Sequence, residues 1–154
     1  YTIWVTLINY KIIIMRKLLN CSCTDKMTSY APTILRVVTG LIFAMHGWMK
    51  ITGGVANVAG FLGMIGFPVA MVFAYLLIAA EFVGGIFLVI GLYTHWAAKF
   101  TAFVAAVAFL TVHVSKGFSL ANGGYEYIIL LLAASISIMI TGPGAWSLDG
   151  KRKR

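Results

Sequence analysis

Long apolar segments, separated by short stretches rich in glycine and polar residues, dominate the sequence after residue 26. Four such segments cover about residues 33–51, 67–92, 95–114 and 125–141. Runs such as "MVFAYLLIAA" do not alternate between apolar and polar positions, so they do not predict strands. A helix needs about 20 apolar residues to cross a bilayer, and the last segment is at the low end of that requirement. We therefore predict an all-α fold, a transmembrane four-helix bundle.

The connections between these segments predict how the helices are arranged. Glycines follow the first segment at Gly53 and Gly54, end the second at Gly91 and flank Pro143 after the fourth. The connection between the second and third segments is very short, which forces an antiparallel hairpin. We expect an up-down-up-down bundle, with a short interfacial or re-entrant helix in the stretch "VANVAGFLGMIGF".

Composition supports a membrane protein over a soluble one. Hydrophobic residues make up 61% of the chain and charged residues 10%, whereas an ordinary soluble domain is about 25% charged. A net charge of +8 would suggest nucleic acid as the partner of a soluble protein. Here the basic residues lie at the ends of apolar segments, so we predict a lipid bilayer as partner and no nucleic acid.

The distribution of Lys and Arg predicts the orientation. With a cytoplasmic amino terminus, the outer side carries only Lys50 and Lys116. The inner side then carries Arg36, Lys99 and the four residues of a basic tail at 151–154. Since cytoplasmic loops hold an excess of basic residues, both termini are expected inside.

The first 26 residues differ from the rest. They begin with Tyr, and Met27 follows them directly. One interpretation is a fifth short membrane helix or a signal peptide, although no basic n-region precedes the apolar part. The other, which we favour, is that Met27 is the start and residues 1–26 are a non-native extension before the bundle at 27–150. Cys21 and Cys23 form a C-x-C pair there, which alone does not indicate a metal site, and we predict none.

Ionisable side chains inside the membrane are costly and therefore mark candidate functions. Arg36, Gly40, Gly47 and Lys50 recur at helical spacing on the first segment, on a face whose glycines would let another helix come close. Glu81 lies far from either end of the second segment and must be protonated or paired with a cation. We predict a buried ion pair between Arg36 and Glu81.

A second polar cluster is predicted at the outer ends of three helices. His46 and Lys50 lie four residues apart on one helix face. By the up-down topology, His113 ends the third helix and Glu126 begins the fourth at a similar depth. We predict that these four residues line a ligand pocket in which Lys50 and Glu126 form a switchable pair. The alternatives are that Lys50 snorkels to the lipid headgroups and that His113 is purely structural.

From about residue 33 to 149 the chain resembles the DoxX family of small bacterial membrane proteins. Five short motifs in order carry the resemblance: Arg36 with "HGWMK", then "AEFVGG", "GLYTHWAA", "GGYE" and a closing "GPGAWSLD". The resemblance implies a four-helix protein of the bacterial inner membrane. The family's namesake is similar to a subunit of a thiosulfate:quinone oxidoreductase, and other relatives are linked to a membrane complex that handles redox stress and thiols.

Two hypotheses on function remain. In the first, the protein is a redox-linked subunit that binds a quinone or a small sulfur oxyanion at His46, Lys50 and Glu126, working with another membrane or soluble redox subunit. In the second, it is a non-catalytic subunit whose buried charges hold the bundle together and dock a partner. The resemblance leaves the question of enzymatic activity open between them.

Overall fold

The computed structural model of the chain describes residues 27–152, and the regular structure in this part consists of helices without strands. The interpretations of residues 1–26 and of the last two residues of the basic tail lie outside the described residues. The predicted all-α class is confirmed.

Four main helices form close to the predicted positions. They are α1 (Tyr30–Thr52), α3 (Ala70–Ile90), α4 (Thr94–Ala108) and α5 (Glu126–Thr141). The second predicted segment is shortened at both ends because Val69 and Gly91 have positive φ values of 48° and 70°. Beyond Ala108 the chain continues as a π-helix, Phe109–His113, and a 3-10 turn, Val114–Lys116.

A short helix, α2 (Val55–Met64), follows α1 and confirms the helix expected in this stretch. Glycines with positive φ flank it, Gly54 at 93° and Gly66 at 89°. Glycine adopts this backbone region without steric cost, so the chain can turn sharply at both ends of α2. The apolar side of α2 packs on the start of α3 through Ala59 and Leu62.

Successive main helices run antiparallel, and α1 and α4 each pack against both α3 and α5. One bundle end, called the Arg36 end, contains Arg36, the α3–α4 connection and residues 142–152. The other, called the His113 end, contains Lys50, His113 and the connection from Gly117 to Tyr125. The predicted four-helix bundle is thus confirmed, and the small carboxyl-terminal helix α6 (Leu148–Arg152) lies at the Arg36 end.

The exterior of the bundle is more apolar than parts of its interior. Arg36, Thr101 and Ser135 are fully buried, whereas Phe103 and Ile140 are largely exposed. Among residues 27–152, three helical stretches, Tyr30–Thr52, Ala70–Ile90 and Thr94–Lys116, are long and apolar enough to cross a membrane. Helix α5 has 16 residues and is apolar but shorter. This inversion of the usual pattern suits a protein whose outer surface faces lipid.

Glycines set the crossing of α1 and α3. A Cβ on Gly40 would lie 2.7 Å from the Gly85 oxygen, and one on Gly47 would lie 2.6 Å from the Phe82 nitrogen. The predicted glycine face of α1 is therefore packed against protein. This close contact also fixes which residues of the two helices are level with each other.

Candidate ligand-binding site

Lys50 and Glu81 form an ion pair between the end of α1 and the middle of α3. The Lys50 ammonium contacts both carboxylate oxygens of Glu81. The Glu81 side chain is 8% exposed and that of Lys50 is 29% exposed, so the pair is partly shielded from solvent. A carboxylate in such surroundings needs a cation, as predicted, but the predicted partner, Arg36, is wrong.

The Arg36 guanidinium instead donates to four main-chain carbonyls. Nε lies 2.9 Å from the Pro143 oxygen, and Nη1 lies 2.7 Å from the Val89 oxygen and also contacts that of Leu88. Nη2 lies 3.4 Å from the Trp146 oxygen. The carbonyls of Leu88 and Val89 belong to the last turn of α3, where the helix provides no N–H four residues on, and the Leu88 carbonyl also accepts from the Gly91 amide at 3.2 Å. Arg36 therefore stabilises a helix end and is separate from the candidate site.

The chain after α5 completes this arrangement at the Arg36 end. The Asp149 carboxylate accepts hydrogen bonds from the Tyr93 and Thr94 amides, at 2.9 and 2.8 Å, where α4 begins. The Asp149 amide donates to the Gly91 carbonyl at 2.9 Å, and its carboxylate attracts the Arg36 guanidinium. The closing motif "GPGAWSLD" thus has a structural role that sequence reasoning did not assign to it.

Glu126 does not join the predicted pocket. Its Oε1 accepts a hydrogen bond from the Leu120 amide at 2.6 Å, because the 3-10 turn Leu120–Asn122 folds back toward the start of α5. The predicted switchable pair of Lys50 and Glu126 is therefore wrong: Lys50 contacts Glu81, and Glu126 holds a turn.

The two histidines approach the site from different helices. His113 ends the π-helix, is half-buried, and its Nδ1 lies 2.7 Å from the Gly123 carbonyl oxygen. His46 lies on α1 one turn before Lys50, and its ring centroid is 6.3 Å from that of Tyr127. The hydrogen bond to Gly123 thus gives the Nδ1 atom of His113 a structural role. It leaves the other ring nitrogen, Nε2, without an assigned role.

A pocket of about 350 Å³ brings these groups together inside the bundle. Its polar lining comprises His46, Lys50, Glu81, His113 and Tyr127. Three of the four predicted ligand candidates therefore share one cavity, joined by Glu81 in place of Glu126. Sequence reasoning missed Tyr127, although it lies one residue after Glu126 on the helix that was expected to contribute.

An apolar groove of about 1210 Å³ meets the pocket at the same polar residues. His46, Lys50, Glu81 and His113 line both cavities. The groove extends between α2, α3 and α4, and its walls include Phe61, Leu62, Phe100, Phe103 and Val107. An ion pair and two imidazoles therefore form a polar part of a long apolar surface.

The chemistry available here is hydrogen bonding and proton exchange. An ammonium donates, a carboxylate accepts, and imidazole does either. Within residues 27–152 no three His, Cys, Asp or Glu side chains cluster closely enough to hold a metal ion. The arrangement suits an organic ligand with a polar head and an apolar body.

Comparison with known proteins identifies the family. The DoxX family pattern matches residues 31–114 of the chain. The chain belongs to the DoxX family. This confirms the resemblance based on the five motifs and agrees with the apolar helices of a membrane protein.

Three relatives of this DoxX protein are similar over most of their lengths. It is 35% identical over 125 residues to "Putative oxidoreductase CatD" of Bacillus subtilis, covering 81% of this chain and 89% of that protein. It is 33% identical to an uncharacterized protein of Haemophilus influenzae, covering 82% and 94%. It is 30% identical to "Inner membrane protein YqjF" of Escherichia coli, covering 80% and 93%. No solved structure is significantly similar to the chain.

Proposed function

We propose that this DoxX protein is a redox-linked membrane subunit that binds a quinone. The head group would occupy the pocket beside Lys50 and Glu81, and the apolar tail would lie in the groove. The observation that carries the proposal is the position of the ion pair and both histidines where the polar pocket meets the apolar groove. The relative CatD, named as an oxidoreductase, gives independent support for a redox role.

A quinone suits the site better than a small sulfur oxyanion. The Lys50 charge is already balanced by Glu81, and the carboxylate would repel a dianion such as thiosulfate. The groove walls offer an apolar surface that an oxyanion cannot use. A neutral ring carrying two carbonyl oxygens and a hydrocarbon chain matches both parts.

Each polar residue has a role in this proposal. Lys50 donates to a quinone carbonyl, since an ammonium is a donor only. Reduction of a quinone to a hydroquinone takes two electrons and two protons. Glu81 and His46 are positioned to exchange the protons, and a separate redox subunit or a soluble reductant would supply the electrons.

The membrane and orientation form part of the same proposal. The protein would be a multi-pass protein of the bacterial inner membrane with both termini in the cytoplasm. The name of the Escherichia coli relative supports the location. The basic residues of the Arg36 end, including Lys99 and Lys151, support the orientation.

The test is a binding titration of the purified protein with a benzoquinone that carries a decyl chain. Lys50→Met should weaken binding by about 10–100-fold, because a hydrogen bond to a charged group contributes about 1.5–3 kcal/mol. Lys116→Met is the matched control, since Lys116 is exposed near the same end of the bundle and does not line either cavity. The control should bind as the unmodified protein does.

Two results would reject the proposal. One is the absence of saturable quinone binding, and the other is equal loss of affinity in the two variants. Either result would favour the non-catalytic hypothesis, in which Lys50 and Glu81 serve only to join α1 to α3. Competition of thiosulfate against the quinone would instead favour the sulfur oxyanion.

A further inference from the structure

His113 is held in one tautomer by its hydrogen bond. A carbonyl oxygen can only accept, so the contact of 2.7 Å between Nδ1 and the Gly123 oxygen requires a proton on Nδ1. In the neutral ring Nε2 then carries the lone pair and is an acceptor. Because the His113 ring lines the pocket, Nε2 is the ring nitrogen left for a ligand.

The turn that supplies the Gly123 carbonyl is well fixed. Gly123 has a positive φ of 73°, and its amide donates to the Leu120 oxygen at 2.8 Å. The next amide, of Gly124, donates to the Ser119 oxygen at 2.9 Å. A Cβ on Gly124 would lie 2.2 Å from the Gly117 oxygen, so the two arms of this connection are in close contact.

The π-helix fixes the histidine side of the same contact. The segment Phe109–His113 interrupts the α-helical turn of the third spanning stretch and ends at His113 itself. Such π segments are rare in proteins, and those that occur are often found at functional sites. The additional residue per turn changes the direction of the side chains that follow. Both partners of the hydrogen bond are thus positioned by the backbone, independently of any ligand.

A fixed acceptor distinguishes the two redox forms of a quinone. The oxidised form brings only carbonyl acceptors, which would face the Nε2 lone pair. The reduced form brings two O–H donors, one of which can satisfy it. We infer that His113 is a specificity-determining residue that makes the pocket prefer the hydroxyl-bearing, reduced form of its ligand. This inference rests on the proposed function, since it concerns the same pocket.

The size of the preference follows from the exposure of the site. Fully buried sites built to bind a hydroxyl reject analogues without it by about 10⁴–10⁵-fold. His113 is half-buried and its bond would join neutral groups, so we expect about tenfold. Tighter binding of the reduced form stabilises it, and tenfold corresponds to a rise of about 30 mV in the two-electron potential of the bound ligand.

The experiment compares three decyl-chain ligands of similar shape: the quinone, the hydroquinone and the dimethyl ether of the hydroquinone. In the unmodified protein the hydroquinone should bind about tenfold more tightly than the other two. His113→Phe keeps a ring but removes this acceptor, and should lose most of the preference. His95→Phe is the control, since His95 lies on the same helical stretch as His113 but lines neither cavity. Its Nδ1 likewise lies near a carbonyl oxygen, 3.1 Å from that of Met139 on α5.

The outcomes separate the inference from the proposed function. Failure of all three ligands to bind removes the proposed function and the inference with it. Equal binding of the three to the unmodified protein, or an unchanged preference in His113→Phe, overturns the inference alone. Should His113→Phe not fold, ¹⁵N NMR of histidine-labelled unmodified protein decides: an Nδ1–H ring with a free Nε2 supports the inference, and an Nε2–H ring overturns it.

Discussion

Arg36 is a charged residue in the apolar helix α1, and its guanidinium donates to four main-chain carbonyls. Its four carbonyl partners come from the last turn of α3 and from residues 143 and 146. A guanidinium presents five donors in a rigid, planar arrangement, which a flexible ammonium cannot reproduce. The residue therefore joins three parts of the chain at one point.

Replacement of Arg36 should be strongly destabilising. Arg36→Met removes the hydrogen-bond donor of the part-buried Val89 and Pro143 carbonyls, each at a cost of about 1–3 kcal/mol, so we expect a loss of about 2 kcal/mol or more in the free energy of unfolding. Denaturant titration in detergent, followed by circular dichroism, measures it. Lys99→Met is the control, because Lys99 is exposed and its contact with the Trp96 ring contributes about 0.5–1 kcal/mol. Similar losses in the two variants would contradict the structural role of Arg36.

The sequence predicted that Glu81 has a cation partner but not which one. Helical spacing shows which side chains share a face, whereas the relative shift of two helices along their axes depends on how they pack. The contacts of Gly40 with Gly85 and of Gly47 with Phe82 place Arg36 level with Leu88. Glu81 lies about two turns before Leu88 on α3, next to Phe82, so it is level with Gly47 and within one turn of Lys50. Glu126 was misplaced for a related reason, since nothing in the sequence indicated the turn that it stabilises.

At the scale of elements, the contact of α1 with α3 determines whether the site forms. Gly85 lies one turn after Glu81, and a Cβ there would be 2.4 Å from the Ala44 nitrogen. No side chain can be accommodated at that distance unless the helices separate. The geometry of the ion pair therefore depends on a residue that has no side chain.

Gly85→Ala should destabilise the protein and weaken ligand binding, whereas Gly60→Ala should not. Overpacking typically costs about 1–3 kcal/mol, and the resulting shift would separate Lys50 from Glu81. Gly60 lies within α2, where an added Cβ would meet open space, so alanine there should be neutral or stabilising by about 0.5–1 kcal/mol. Thermal unfolding of the two proteins in the same detergent compares them. An equal melting temperature for both would show that the helices tolerate separation.

Helix positions were predicted well because the length of an apolar segment and the glycines at its ends can be identified from the local sequence. The π-helix at Phe109–His113 was not predicted, since a change in the number of residues per turn leaves the apolar composition of a segment unaltered. Tyr127 was missed for a different reason: an aromatic residue in an apolar helix has no distinguishing pattern until its neighbours are known.

At the scale of the whole molecule, the two ends of the bundle differ in character. The Arg36 end is closed by residues 142–152 and carries exposed aromatic residues such as Trp146. The His113 end holds the pocket and few basic residues. The excess of basic residues at the Arg36 end favours the proposed cytoplasmic position of that end, whereas aromatic residues are enriched at both interfaces.

Cysteine labelling tests the orientation in intact cells. With Cys21 and Cys23 changed to Ser, the chain has no other thiol. A membrane-impermeant maleimide should label Ser115→Cys in intact cells and Lys151→Cys only after lysis. Both positions are exposed, so reactivity itself should not limit either one. The reverse pattern would place the Arg36 end outside.

The hydrogen bonds of Arg36 also impose an order in time on biogenesis. Ribosomes build a chain from its amino end, so Leu88 and Val89 emerge 52 and 53 residues after Arg36. The carbonyls of Pro143 and Trp146 follow 107 and 110 residues after it. All four main helices are therefore synthesised before the guanidinium meets its last partners. A nascent chain that stopped at Thr141 would contain all four main helices, and Arg36 on α1 would still lack two of its carbonyl partners.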